Sequence, residues 1–363
     1  MDPSDTPLAR STREFAEGTV AEYATTMDSD DEFPDELMPH LAAMGFYDIL
    51  DGSDDMYRDI ATIQRELARE LPAIAMHLQL QNIVRRKLDE YARTDEHRNR
   101  LEALRRGEAM AIWAFTEPET GTNPQEFQTR AERTESGWVL NGHKRWITNA
   151  PMAEFGLVFA LGPDDDVQLF FVDMDDPGVT VSNPMELIGV RGNEQSDVIL
   201  KDVVVDEGDR LVADRGMAVL KETMLIGKLC LSAQCTGIMA RCLDEAVSYA
   251  QERAPSGHPI MDYQAIHYLL AEMASRKYAA EATLFRAADE MDTGDHDTGR
   301  GAFQKLFITQ EAVTIARYGL QVHGVYGLSK EYPIERFFRD AKTYELLEGS
   351  SEVQRELAMD AIR

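Results

Sequence analysis

The chain is short of positive charge. Its 65 acidic residues outnumber 37 lysines and arginines, for a formal net charge of -28, and lysine is scarce beside arginine. Binding to nucleic acid needs clustered cations to neutralise phosphates, so that class of partner is not expected. Cysteine is nearly missing. Cys230, Cys235 and Cys242 fall in one expected helix. An odd number at that spacing makes neither a disulfide framework nor a metal-ligand set, so they read as small buried apolar residues and no metal is expected. No GxGxxG turn and no Walker motif is present, so a nucleotide cofactor would need another architecture to hold it. No apolar run reads as long enough to span a membrane, and the opening MDPSDTPLARSTREF lacks the apolar core of a signal peptide. These absences together lead us to expect a cytoplasmic protein with neither membrane nor nucleic-acid partners.

What is present is apolar content. At 44% hydrophobic, the 363 residues can bury a sizeable core, and the length suggests two or three domains. The acids are spread along the chain, in clusters such as residues 28–32 and 164–166 that are expected in loops. An acidic disordered chain would lack such apolar periodicity. The composition suits a salt-rich cytoplasm, where self-repulsion is screened because the Debye length falls to ~3 Å at 1 M salt.

The pattern changes twice along the chain. Residues 1–108 are helical in spacing, with Ile63, Leu67 and Leu71 at i, i+4 and i+8, and with Pro72 breaking that helix or opening the next. Residues 109–215 are β-rich: GLVFALG, DVQLFFVDM and SDVILKDVVV are separated by Gly, Asp and Pro, and WVLNGHKRWIT reads as two strands around an Asn141-Gly142 hairpin turn. Residues 216–363 return to long helices, over 218–251, 263–291, 298–322 and 334–347. Segregated helices and strands imply separate layers, an α+β fold that is mainly α.

Three constellations carry chemistry. In the last stretch, Glu348 sits where Gly349 ends a helical run, with Ser351 and Gln354 reading as a capping box for the next helix. A carboxylate held beside Leu346 and Leu347 can have its pKa raised to suit a general base, although most helical acids are merely solvated. In AFTEPETGTN, residues 114–123, hydroxyls and amides in a glycine-containing turn suit a flavin edge or a pyrophosphate, or else an ordinary polar loop. In KRWITN, residues 144–149, Trp146 and Thr148 are two apart on an expected strand, so an aromatic face and a hydroxyl share one side.

Taken together, YPIERFFRDAK…EGSSEVQR, TEP…GT and NG-x-K-x-WIT resemble the acyl-CoA dehydrogenase family over residues 32–361, in the family's order. The resemblance implies an N-terminal helical domain, a small central β-barrel-like domain and a C-terminal four-helix bundle. It makes Glu348 the base that removes the pro-R α-proton of an acyl-CoA while the β-hydrogen passes to N5 of FAD. Thr116 would contact the flavin pyrimidine, Thr148 would bond N5, Trp146 would lie against the isoalloxazine, and Thr122 would approach the pyrophosphate. Phe115, Gly121, Ser350 and Glu352 would join them at the cofactor. Arg253, Gln264, Gln321 and Gly324 would reach the FAD of a neighbouring subunit, which implies a homo-oligomer, usually a dimer of dimers. Arg191, Lys228 and Gly349 fall on the substrate side. An electron-transfer flavoprotein would take the electrons.

The chain departs from the family pattern in places. The P-E-x-Y-G-G loop is lacking around residues 48–55, Val325 replaces a glycine, and Gly227-Lys228 stands where Gly-Arg is usual. Lysine keeps the charge but not the fork geometry of arginine. Some branched-chain members carry their base at the position of Gly227, which cannot serve here. These departures keep open an oxidase or monooxygenase on the same fold acting on another substrate. A non-catalytic flavoprotein is the third reading.

Overall fold

The computed structural model describes residues 6–120 and 126–363. The first layer holds six helices: α1 (Pro7–Gly18), α2 (Ala24–Asp30), α3 (Met38–Ala43), α4 (Met56–Ala68), α5 (Pro72–Tyr91) and α6 (Asp95–Arg105). Pro72 opens α5, where its missing N–H costs nothing. Helix α5 is buried on almost every face, and its buried residues include His77, Gln79, Gln81 and Asn82. Such polar groups are tolerated inside only when bonded. Gln81 exchanges two 3.0 Å hydrogen bonds with the backbone of Ala111, which pins the helix to the sheet. His77 lies between the Tyr47 hydroxyl at 3.0 Å and the Asn149 amide at 3.4 Å, and burial lowers its pKa to about 3, so it is neutral.

The second layer, among the described residues, is one mixed sheet of eight strands. These are β1 (Ala111–Ala114), β2 (Arg130–Arg133), β3 (Gly137–Thr148), β4 (Phe155–Leu161), β5 (Val167–Asp173), β6 (Val179–Val181), β7 (Gln195–Asp206) and β8 (Arg210–Val212). The order is β6-β7-β3-β2-β4-β5-β8, with β1 added in parallel to β4. One face of β4 and β5 (Phe155, Leu157, Phe159, Leu169) joins the main helical core. The other face, with Val158, Ala160, Phe170 and Val172, closes on Trp138, Leu140, Val198 and Leu200 in a core of the sheet's own.

The expected Asn141-Gly142 hairpin is absent. Residues 137–148 form one continuous strand, with an irregularity in its pairing to β7 between Leu140 and Gly142. Asn141 and Asp202 explain it. The Asp202 N–H donates to Asn141 Oδ1 at 2.9 Å, and Asn141 Nδ2 donates to Asp202 Oδ1 at 3.2 Å. Asp202, not the Asn-Gly pair, takes the left-handed backbone, with φ 53°. A side chain at Gly142 would strike Thr129, so the glycine serves close packing.

The third layer is α7 (Gly216–Glu252), α8 (Gln264–Asp292), α9 (Thr298–His323), α10 (Ile334–Tyr344) and α11 (Ser351–Ile362). Helices α7, α8, α9 and α11 pack as a bundle, and α4 and α5 lie against α7. By length and composition alone α7 is apolar enough to cross a membrane, but 89% of its most apolar window is buried by its neighbours, as in a core helix. Its three cysteines are buried, and burial pushes their thiols far up in pKa. The first acidic cluster is not simply a loop either. Asp28 lies within α2, is buried, and holds the Arg339 guanidinium through two 2.8 Å bonds.

Candidate active site

The site begins at the turn between α10 and α11. Helix α10 ends at Tyr344, three residues earlier than the spacing suggests. The Tyr344 hydroxyl is buried against α5 and donates to the Pro72 carbonyl at 3.1 Å. Glu348 and Gly349 then take two successive left-handed conformations, at φ 53° and 84°. That conformation is costly for glutamate, so the surroundings must enforce it. Two buried side chains do so. Gln354 Nε2 donates to the carbonyls of Glu348 and Gly349, both at 3.0 Å. Lys305 Nζ donates to the carbonyls of Glu345 at 2.9 Å and Gly349 at 2.8 Å. The expected capping box is therefore replaced. Ser350 is the N-cap residue of α11, and Gln354 binds the preceding turn instead of a cap N–H. A side chain at Gly349 would put its Cβ 2.7 Å from Gln354 Nε2.

The turn aims the Glu348 carboxylate between α5 and α7. Oε1 accepts a 2.9 Å hydrogen bond from Gln79 Nε2. Beneath it, a Cβ on Gly227 would lie 2.5 Å from Oε1 and 2.8 Å from Oε2. Burial raises the pKa of Glu348 to about 7, opposed by the charges of Lys228 and Lys305 and by the Gln79 hydrogen bond. The surface this half-buried residue retains lines a cavity of about 560 Å³.

Thr116, Trp146 and Thr148, from the sheet side, line the same cavity. A buried ion pair holds them together. Lys144 Nζ meets Glu117 Oε1 at 2.7 Å, and Glu117 also accepts the N–H groups of Gln128 at 2.6 Å and Thr129 at 3.1 Å. Burial lowers Lys144 to a pKa of about 8, and Lys144 helps keep Glu117 below the usual carboxylate value although burial alone would raise it. The Arg145 N–H donates to the Thr116 carbonyl at 2.9 Å. The strand is irregular between Lys144 and Ile147, and Trp146 has φ 61°. Trp146 is 47% exposed, whereas Ile147 and Thr148 are buried, and all three line the cavity. Simple alternation is thus not what puts Trp146 and Thr148 on one side.

The remaining expected residues divide. Phe115, Gly349 and Ser350 line the same cavity. Glu352 is exposed in the first turn of α11. Lys228 is buried below Glu348 and does not line the cavity. Arg191 lines a separate small pocket, where it pairs with Asp31 at 3.0 Å and donates to the Asp28 carbonyl at 2.5 Å. Arg253, Gln264, Gln321 and Gly324 are exposed and outside the cavity, with the Arg253 guanidinium 5.2 Å from the centre of the Tyr326 ring. Gly121 and Thr122 lie outside the described residues. Sequence reasoning missed Gln79 and Lys305, and gave Gln354 a capping role in place of the one it has on the Glu348 turn. The available signal was the run HLQLQN, whose polar residues interrupt an apolar helix.

The cavity suits a flavin. An exposed indole offers a flat apolar face, and two threonines, Thr116 and Thr148, line the same cavity. Opposite them stands a carboxylate whose pKa is near neutrality. Fold and site together define a flavin-dependent oxidoreductase. Models of the N-terminal, middle and C-terminal domains of acyl-CoA dehydrogenase match residues 3–108, 113–203 and 214–362. The chain belongs to the acyl-CoA dehydrogenase family, and its cofactor is FAD. It is 33% identical to a 3-(aryl)acrylate reductase of Clostridium sporogenes, over 94% of each chain. It is 30% identical to the caffeyl-CoA reductase-Etf complex subunit CarC of Acetobacterium woodii, over 94% of this chain and 93% of that one. Among solved structures, PigA with FAD and proline superposes with a TM-score of 0.90 at 25% identity, over 99% of this chain and 97% of that one.

Proposed function

We propose that the protein interconverts an apolar acyl-CoA and its 2-enoyl-CoA, with Glu348 as the base. The observation that carries this reading is the Glu348 carboxylate, with a pKa near 7, across one cavity from Trp146 and Thr148. Bound FAD supplies the two-electron acceptor for the β-hydrogen. Glu348 takes the α-proton, and a base matched to ambient pH contributes ~10²–10⁴-fold. The apolar walls exclude water and seat the acyl chain.

Met76, Leu80, Ile83, Trp113, Phe115 and Met224 line the cavity. Among the described lining residues, Lys342 is the one cation, and it is exposed and paired with Glu345 at 2.5 Å. A second carboxylate on the acyl group would therefore go unpaired, which favours monocarboxylic acyl groups. The likeness to an aryl-acrylate reductase and a caffeyl-CoA reductase supports an arylpropanoyl group. It also supports operation in the reductive direction, where protonated Glu348 returns the proton. Likeness to the Etf-complex subunit supports an electron-transfer flavoprotein as the redox partner. The exposed Arg253, Gln264, Gln321 and Gly324 are assigned to the cofactor of a neighbouring copy. The acidic composition is assigned to salt adaptation.

Anaerobic titration of the flavin absorbance with acyl-CoAs tests this reading. Bleaching by phenylpropanoyl-CoA or another monocarboxylic thioester, and none by glutaryl-CoA, is the expected result. No bleaching by any thioester would overturn it.

A further inference from the structure

Three buried glutamines from three helices run in line to the Glu348 carboxylate. Gln64 on α4 and Gln234 on α7 are fully buried, and Gln79 on α5 is 7% exposed. Gln234 Nε2 donates to Gln64 Oε1 at 2.7 Å and to Gln79 Oε1 at 3.0 Å. Gln79 Nε2 in turn donates to Glu348 Oε1 at 2.9 Å. Among the described residues no hydrogen bond reaches Oε2. Gln64 Nε2 and Gln234 Oε1 are buried without a partner, so the chain of amides is not a cheap way to fill the core.

An ionised Glu348 sets the direction of the chain. If the Gln79 amide alone flipped, its carbonyl would face the carboxylate and its NH2 would face the Gln234 NH2, and both contacts would be repulsive. With Gln79 so oriented, its carbonyl takes the Gln234 NH2, which also donates to the Gln64 carbonyl.

We propose that Gln79, oriented by Gln234 and Gln64, is a positioning residue that pins Oε1 of Glu348 and leaves Oε2 to meet the substrate's α-proton. This rests on the base role proposed above. A donor aimed at a carboxylate stabilises its ionised form. The other groups facing Glu348 are Lys228 and Cys230 on α7 and Lys305 on α9. Lys342, paired with Glu345, lies on the α10 side, and the sheet side presents the neutral Thr116, Thr148 and Gln195. None of these changes when residue 79 is altered, so the effect of one hydrogen bond can be isolated.

The test uses Gln79→Met and Gln234→Met, which approximately conserve volume. The Glu348 carboxyl band is titrated by infrared difference spectroscopy in the FAD-loaded protein, with Glu348→Gln as the blank. The expected midpoint rises by about one to two units in Gln79→Met. It rises less in Gln234→Met, and the double variant matches Gln79→Met alone. An unchanged midpoint in Gln79→Met, or shifts that simply add, would overturn the proposal. This titration needs no substrate, so its failure is distinct from a failure to bleach with acyl-CoA. With a bleaching thioester, the pH profile of flavin reduction should move by the same amount. Failure of Gln79→Met to fold would leave Gln234→Met to decide by the same midpoint.

Discussion

The Glu348 carboxylate rests directly on Gly227, so closely that a Cβ at residue 227 would lie 2.5 Å from Oε1. The glycine's missing side chain is what admits the carboxylate between α5 and α7. Gly227→Ala should keep FAD and fold but displace the proposed base. A misplacement of about 1 Å can cost ~100-fold. Rapid-mixing measurement of flavin reduction, beside the absorbance of bound flavin, checks this. A normal rate would show that the contact is slack.

The buried pair of Lys144 and Glu117 predicts a stability effect. Lys144→Met strands a buried carboxylate and should destabilise the protein by about 3–5 kcal/mol. The double variant Lys144→Met/Glu117→Leu should recover only part of that, because the N–H groups of Gln128 and Thr129 also lose their acceptor. Urea unfolding of the three proteins gives the comparison.

This pair also shows how far the sequence was legible. Both residues belong to the quoted motifs, yet 27 positions separate them and nothing local announces that they meet. The helices read well because apolar periodicity is a local signal. The Asn-Gly hairpin failed because the alternative, an irregular pairing held by Asp202, depends on a strand some sixty residues away. The end of α10 was misplaced for a similar reason. The left-handed Glu348 is enforced by Lys305 and Gln354 through tertiary hydrogen bonds that propensity does not contain. Gln79 was missed because the run HLQLQN signals only that polar groups sit in an apolar helix, while its partners Gln234 and Glu348 are set by tertiary packing.

The raised pKa of Glu348 sets two pH dependences. For oxidation of the acyl-CoA, the ascending limb of kcat/KM should fall at about 7, since the base must be ionised in the free enzyme. Stability moves the other way. The folded protein keeps this proton between the ordinary value of 4.5 and about 7, whereas the unfolded chain has lost it. The group's contribution is therefore complete below 4.5 and is lost as pH rises to about 7. Glu348→Gln should gain stability relative to the parent across that window, with the gain levelling off above it. Denaturant midpoints between pH 4 and pH 8 provide the reading.

With a net charge of -28, self-repulsion in dilute buffer should be relieved by salt. The melting temperature should rise from low salt to about 1 M KCl, where the Debye length is ~3 Å. Equal melting temperatures across that range would remove the case for salt adaptation.

The most direct test of the account is single-turnover flavin reduction by the best acyl-CoA, compared between the parent and Glu348→Gln. The account predicts bound FAD and bound thioester in both proteins, with reduction in the variant slowed by ~10²–10⁴-fold or more. Reduction at the parent rate would show that another group takes the α-proton, and would contradict the assignment of Glu348.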